Sequence, residues 1–163
     1  MSNYERSTTA MTLSTLPEPI RTAIREKAEA LHLTVAEDAE AFLTLSRKRK
    51  QKRRLFGRMA GAIDPDSEHL TAMVIGAKDV LVARHGEQSG TQVLAARLED
   101  ADTQGVSAET YAAAGIAPGD GMSVNGFRHS GERGRASFYV GLGTPEGDNA
   151  RDALEAALRR AKA

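Results

Sequence analysis

From residue 70 onward, apolar side chains alternate with their neighbours in several short segments of this 163-residue chain. The runs LTAMVI and DVLVARH are separated by Gly76, Ala77 and Lys78, a spacing typical of a tight hairpin. TQVLAARLEDADT follows a glycine-bearing turn, and GMSVNGFRH and ASFYVGLG flank the turn SGERGR. Because a period of two indicates strands with one buried face, we predict consecutive antiparallel hairpins in this part of the chain.

Two segments have a helical period instead. Apolar residues recur every three and four positions from Pro17 to Leu31 and again from Asp148 to Lys162. Hairpins followed by one amphipathic helix predict an α+β fold. We expect an antiparallel barrel or sandwich of about six or seven strands, capped by a C-terminal helix and preceded by an extra N-terminal helix.

The length predicts a single domain, since domains commonly span roughly 100 to 200 residues. Residues 1–15 are polar and have no period, so we expect a disordered tail before a domain at 16–163. The N-terminal helix is predicted at 16–36, and the remaining structure at 40–162. The stretch 36–56 fits a helix or a strand, although alternation of Ala41, Leu43 and Leu45 favours a strand at 40–48.

The chain contains no cysteine, which excludes disulfides, thiolate metal ligands and a cysteine nucleophile. It also has no uninterrupted apolar run of the roughly 18 to 20 residues that a transmembrane segment needs, and no apolar signal core. We therefore expect a cytoplasmic protein, which could also lie peripherally on a membrane.

Charge is unevenly distributed, although the chain is neutral overall. Eight of its 22 lysine and arginine residues lie from Arg47 to Arg58 with no acid among them, which leaves 14 basic and 22 acidic residues elsewhere. Such a run must be solvated, paired with acids or bound to a polyanion. The candidate anion-binding residues are Arg47, Lys48, Arg49, Lys50, Lys52, Arg53 and Arg54.

Two functions are compatible with this pattern. The first is a non-enzymatic binding module that contacts anionic lipid headgroups or nucleic-acid phosphates through the basic segment 47–54. The second is a self-assembling or protein-binding module with a merely solvated basic run, because 91–98 and 136–142 could be open sheet edges. Pairing of the basic segment with acids of its own chain would weaken the first hypothesis.

Motifs for catalysis, metals or cofactors are weak. The turn GLGTPEG, Gly141 to Gly147, has the spacing GxGxxxG, one residue too long for a dinucleotide-binding loop. His69 and His85 are expected to be close across the first hairpin, but they fit no established zinc motif. The motifs GxSxG and HExxH are missing. We therefore predict no enzymatic activity, no cofactor and no metal.

The order of these segments is similar to that of the bacterial pleckstrin-homology-like domains. TAMVIGAKDVLVARHG resembles their opening hairpin, TQVLAARLEDAD their central strand, and GMSVNGFRHSGERGRASFYVGLG with ARDALEAALRRA their last hairpin and capping helix. The resemblance covers 40–162 and implies a binding or oligomerisation module without active-site residues. It would place the basic run between the first two strands, where eukaryotic pleckstrin-homology domains have a basic cup for phosphorylated lipid headgroups.

Overall fold

The computed structural model describes residues 4–49, 66–103, 121–128 and 135–163. In these ranges the helices are α1 (Glu18–Ala30) and α2 (Gly147–Lys162), with a 3-10 turn at Leu13–Thr15. The strands are β1 (Tyr4–Thr12), β2 (Glu40–Lys48), β3 (Glu68–Ile75), β4 (Asp79–Gly86), β5 (Gly90–Arg97), β6 (Gly121–Arg128), β7 (Arg135–Gly141) and β8 (Thr144–Pro145). The predicted strand at 40–48, the hairpin strands and the C-terminal helix are confirmed. No helix in the described ranges is both long and apolar enough to cross a membrane.

The sheet is open. Six strands form one sheet in the order β5-β4-β3-β2-β1-β8, antiparallel except where β8 joins β1, and β6 pairs with β7 separately. The predicted α+β class with a mostly antiparallel sheet is confirmed. Of the two predicted architectures, a barrel or a sandwich, the closed barrel is wrong. Closure requires the outermost strands of a sheet to pair with each other. Here β5 and β8 lie at opposite edges.

Residues 4–12 belong to the sheet and 13–15 form the 3-10 turn, so the prediction of a disordered tail is wrong over 4–15. β1 pairs with β2 along its whole length, from Tyr4 opposite Lys48 to Thr12 opposite Glu40. The strand carries few apolar residues and therefore lacks the alternation by which the other strands were recognised. Its threonines nevertheless favour extended backbone, and backbone pairing on both sides fixes it in place.

Helix α1 ends earlier than the predicted boundary at residue 36. His32 has a φ of 55°, in the left-handed region that terminates helices. The N–H groups of His32 and Leu33 donate to the carbonyl oxygens of Glu29 and Ala28, which completes a Schellman motif. The chain then leaves the helix axis and turns towards β2.

Both faces of the sheet are buried over much of its area. On one face, Ile20 and Ile24 of α1 pack against Val74 and Leu81. On the other face, the β6–β7 hairpin and α2 pack against side chains that include Met73 and Val82. Neighbouring residues of β3 and β4 therefore enter different cores, which explains the nearly continuous apolar runs in these strands.

Several sequence predictions fall outside the described residues. They concern Lys50, Lys52, Arg53, Arg54 and Arg58 of the basic run, the connection across 51–65, the alanine- and glycine-rich stretch 105–120, and residues 130–134 of the turn SGERGR.

Candidate functional site

The sheet face that packs against α2 changes from apolar to polar along its strands. Phe42 and Met73 belong to the core at one end. Farther along the same strands, the register places three hydroxyl side chains on this face, each at most 4% exposed: Thr44, Ser46 and Thr71. Buried hydroxyl groups generally require hydrogen-bond partners. This end of the face is therefore a polar interior.

Four basic side chains lie on the polar end, one from each of four neighbouring strands. The register pairs Arg6 and His69 with Ser46 on either side, and Arg84 with Thr71, while Lys48 follows Ser46 by two residues. All four are half-buried. We call this set the cationic face: Arg6 of β1, Lys48 of β2, His69 of β3 and Arg84 of β4.

Contacts across the strands hold the cationic face together. Cζ of Arg6 lies 5.1 Å from the ring centroid of Tyr4 and 5.8 Å from that of Tyr139. The rings of Tyr4 and His69 meet edge-on with centroids 5.4 Å apart, and Nδ1 of His69 lies 3.5 Å from Nη2 of Arg84. Cations are attracted to aromatic faces. The result is a continuous row of contacts from β7 to β4.

One buried hydroxyl group marks the floor of the cationic face. Ser46 is 1% exposed, and its Oγ has no hydrogen-bond partner among the residues that the structure describes. An unsatisfied buried hydroxyl costs about 1–3 kcal/mol. Burial of this hydroxyl beneath the basic side chains is therefore a local cost to stability.

A buried carboxylate borders the same face. Asp66 is 3% exposed and accepts hydrogen bonds from the backbone N–H groups of Gln88, at 2.7 Å, and Ser89, at 3.3 Å, as well as from the Ser89 hydroxyl. A Cβ at Gly86, which pairs with His69, would collide with this carboxylate. Asp66 therefore fixes the β4–β5 turn and reduces the positive charge beside His69.

The structure separates the first residues of the predicted anion-binding segment. Arg47 is paired with Glu68, with 2.8 Å between Nε and Oε2, and its side chain is 62% exposed. Strand alternation directs Lys48 to the opposite face, where it joins the cationic face. Arg49 is exposed beyond the end of β2. Of the seven candidates, only Lys48 is brought to the polar end within the described ranges.

The two histidines considered as metal ligands lie on opposite faces of the sheet. His85 pairs with Leu70, the neighbour of His69, and strand alternation therefore separates the two imidazoles. Nδ1 of His85 lies 2.6 Å from Oγ1 of Thr91. In the described part of the chain, no three His, Cys, Asp or Glu residues are grouped to hold a metal ion.

The glycine-rich turn before α2 contributes to the sheet. The backbone N–H of Gly143 donates to Oγ1 of Thr8, with 2.9 Å between the heavy atoms. Thr144 and Pro145 then pair with β1 as β8. A Cβ at Gly143 would collide with the backbone of Arg6, so close approach of two chain segments explains this glycine.

Sequence reasoning missed Arg6, His69 and Arg84 as members of one site. Comparisons of the chain with protein-family models, curated proteins and solved structures find no match. The functional interpretation therefore depends on the geometry of the cationic face.

Proposed function

We propose that this protein is a non-enzymatic binding module that recognises a phosphate group through the cationic face. The observation that carries the proposal is the convergence of four basic side chains, from four strands, on one end of a sheet face. Phosphate oxygens accept charge-assisted hydrogen bonds from guanidinium and ammonium groups. Side chains on paired strands are held at fixed spacing, which suits recognition of a rigid group.

The aromatic residues favour a phosphate group over a stacked nucleobase. The guanidinium of Arg6 is close to the rings of both Tyr4 and Tyr139. These rings therefore position a cation, whereas single-strand binding generally uses aromatic faces as stacking platforms for bases. We infer a compact phosphomonoester, carried by a lipid headgroup or by a soluble molecule.

A pleckstrin-homology-like identity is part of this proposal. The succession of antiparallel hairpins and the final helix, α2, supports it, whereas the open sheet and the added β1 depart from the expected barrel. A lipid headgroup is the ligand that such an identity favours. A protein that binds a lipid headgroup would be located at the membrane surface.

Binding to vesicles that contain a phosphomonoester lipid tests the proposal. We expect wild-type protein to cosediment with these vesicles and not with neutral vesicles, with weaker binding at higher salt. Lys48→Gln and Arg84→Gln should each weaken binding by about tenfold, which corresponds to one charge-assisted hydrogen bond of about 1.4 kcal/mol. A soluble phosphomonoester that competes fully would identify the phosphate group as the recognised element.

Arg47→Gln is the matched control, because Arg47 precedes Lys48 and lies on the opposite face. Its affinity should stay within about twofold of wild type, a difference of about 0.4 kcal/mol. Equal losses for Arg47→Gln and Lys48→Gln would contradict recognition by the cationic face. Absence of binding to both the lipid and the soluble phosphomonoester would overturn the proposal, and binding only to oligonucleotides would favour nucleic acid instead.

A further inference from the structure

A cleft of about 670 Å³ lies at the opposite end of β3 and β4 from the cationic face. We call it the Asp79 cleft. Its walls come from the connection after α1, the turn between β3 and β4, the start of β4 and the end of β5, and they include Leu33, Lys78, Asp79 and Arg97. Small-molecule sites generally have volumes of roughly 300–1,000 Å³. The cleft is therefore large enough for a small ligand.

One carboxylate in this cleft is buried without a hydrogen bond. Asp79 is 7% exposed, and its side chain makes no hydrogen bond or ion pair with the residues that the structure describes. Unlike the sealed hydroxyl of Ser46, both carboxylate oxygens of Asp79 remain accessible to solvent. A buried carboxylate is costly unless it is paired. Asp79 therefore offers an acceptor that a ligand in the cleft can reach.

The cations of the cleft do not compensate for this burial. Arg97 lies opposite Asp79 in the strand register, but its Nη1 is 3.4 Å from Oε1 of Glu99. Lys78 is exposed. Burial raises the pKa of Asp79, and this effect is larger than the opposing attraction of Arg97 and Lys78. Within the described ranges, the carboxylate thus has no partner that outweighs the cost of its charge.

The side chains of the cleft favour an organic cation over a metal ion. Protein metal sites generally use three or more ligands, and the described part of the chain groups no three metal-ligating side chains. A single carboxylate suits an ammonium or guanidinium group, which donates charge-assisted hydrogen bonds to carboxylate oxygens. Leu33 and Ala77 add apolar surface, and Thr34 adds a hydroxyl group. These residues suit a cation with a short apolar body.

We propose that this protein binds a small organic cation in the Asp79 cleft, with the ammonium or guanidinium group of the ligand on the carboxylate of Asp79. The ligand supplies the hydrogen bonds that the protein leaves unmade and so offsets the cost of burying the charge. A buried ionisable group that lines a cleft is typical of functional sites. The inference is independent of the proposed recognition of phosphate, because the two sites lie at opposite ends of β3 and β4.

Titration with butylamine, followed by NMR, tests the proposal. The ammonium group of butylamine resembles that of a lysine side chain and is therefore charged at neutral pH. We expect butylamine to shift the backbone signals of Leu33, Thr34 and Asp79. Butanol, which has a similar size but no charge, should shift these signals much less. The shifts also give the dissociation constant of each compound.

Asp79→Asn should weaken the binding of butylamine by about tenfold or more, a change of about 1.4 kcal/mol. The variant should stay folded, because asparagine has a similar shape and no charge to bury, and circular dichroism checks this. Asp152→Asn, at an exposed carboxyl on α2, is the matched control and should bind like wild type. Lys78→Gln should instead strengthen binding by about twofold, because it removes an exposed cation beside the carboxylate.

Three results would overturn the proposal. They are equal affinity of wild type and Asp79→Asn for butylamine, equal affinity of wild type for butylamine and butanol, and no shift of the cleft signals with either butylamine or butylguanidine. Displacement of butylamine by Mg²⁺ or Ca²⁺ at Asp79 would assign the cleft to a metal ion instead.

Discussion

Oγ1 of Thr8 in β1 lies 2.8 Å from Oγ1 of Thr44 in β2, where neither side chain is more than 1% exposed. The same oxygen of Thr8 accepts a hydrogen bond from the backbone N–H of Gly143. One hydroxyl group thus joins β1, β2 and the turn that leads into β8. Residues close to the two ends of the chain are tied together in the interior of the fold.

Thr8→Val should reduce the free energy of unfolding by about 1–3 kcal/mol. Valine keeps the side-chain shape but removes the oxygen that binds both the Thr44 hydroxyl and the N–H of Gly143. Urea denaturation measures the loss. Thr9→Val, at the exposed neighbouring position, should change stability by less than about 0.5 kcal/mol. Equal losses for the two variants would contradict a structural role for the Thr8 hydroxyl.

The sequence predicted most of the sheet, because short apolar runs separated by glycine-bearing turns are typical of strands. In β3 and β4 these runs are nearly continuous, since both faces of the sheet are buried there. β1 was not predicted, because its fully buried residue is Thr8, and a polar threonine does not contribute to an apolar pattern. β8 contains only two residues, too few to have a period. Both strands form only by pairing with segments that are distant in sequence. A local sequence pattern contains no information about such pairing.

The cationic face was also hidden from sequence reasoning, although the basic run was conspicuous. Arg6, Lys48, His69 and Arg84 are isolated from one another in the sequence, and only strand register brings them to one face. Conversely, adjacent Arg47 and Lys48 are separated by strand alternation. Pairing of Arg47 with Glu68 also weakens the expectation that the basic run acts as a unit.

Gly141→Ala should displace the side chain of Arg6. A Cβ at Gly141 would collide with Nε of Arg6, and its three nearest atoms all belong to that side chain. We therefore expect a loss of stability that becomes smaller when Arg6 is already alanine. Urea denaturation of the two single variants and the double variant should give a coupling energy of about 0.5–3 kcal/mol. Additive losses would contradict direct packing of Arg6 on Gly141.

His32→Gly should stabilise the protein. His32 ends α1 with a φ of 55°, a conformation that glycine adopts without the steric cost of a Cβ. The expected gain is about 1 kcal/mol in the free energy of unfolding, because the left-handed conformation costs other residues about that much. Urea denaturation tests it, and His32→Ala should give no such gain. Equal stability of the glycine and alanine variants would contradict the inference that the gain comes from the left-handed backbone conformation at this position.

Asp79 should make the stability of the protein depend on pH. Its side chain is 7% exposed, and burial raises the pKa of this carboxyl above the ordinary value of 3.8, against the opposing effect of Arg97 and Lys78. The folded state thus favours the neutral carboxyl. Above pH 3.8 the Asp79 carboxyl ionises in the unfolded chain before it ionises in the folded protein. The stability contributed by the neutral carboxyl therefore decreases with rising pH, and it is gone once the folded carboxyl has ionised as well.

Asp79→Asn isolates this effect, because asparagine has a similar shape and stays neutral. Below pH 3.8 the two proteins should differ by a small constant amount, and with rising pH the asparagine variant should become progressively more stable than wild type. Urea denaturation across this range measures the difference. Thr9→Val, at an exposed and uncharged position, should follow the wild-type pH dependence. An asparagine variant whose advantage falls as pH rises would mean that the Asp79 carboxylate is stabilised by its neighbouring cations more than it is destabilised by burial.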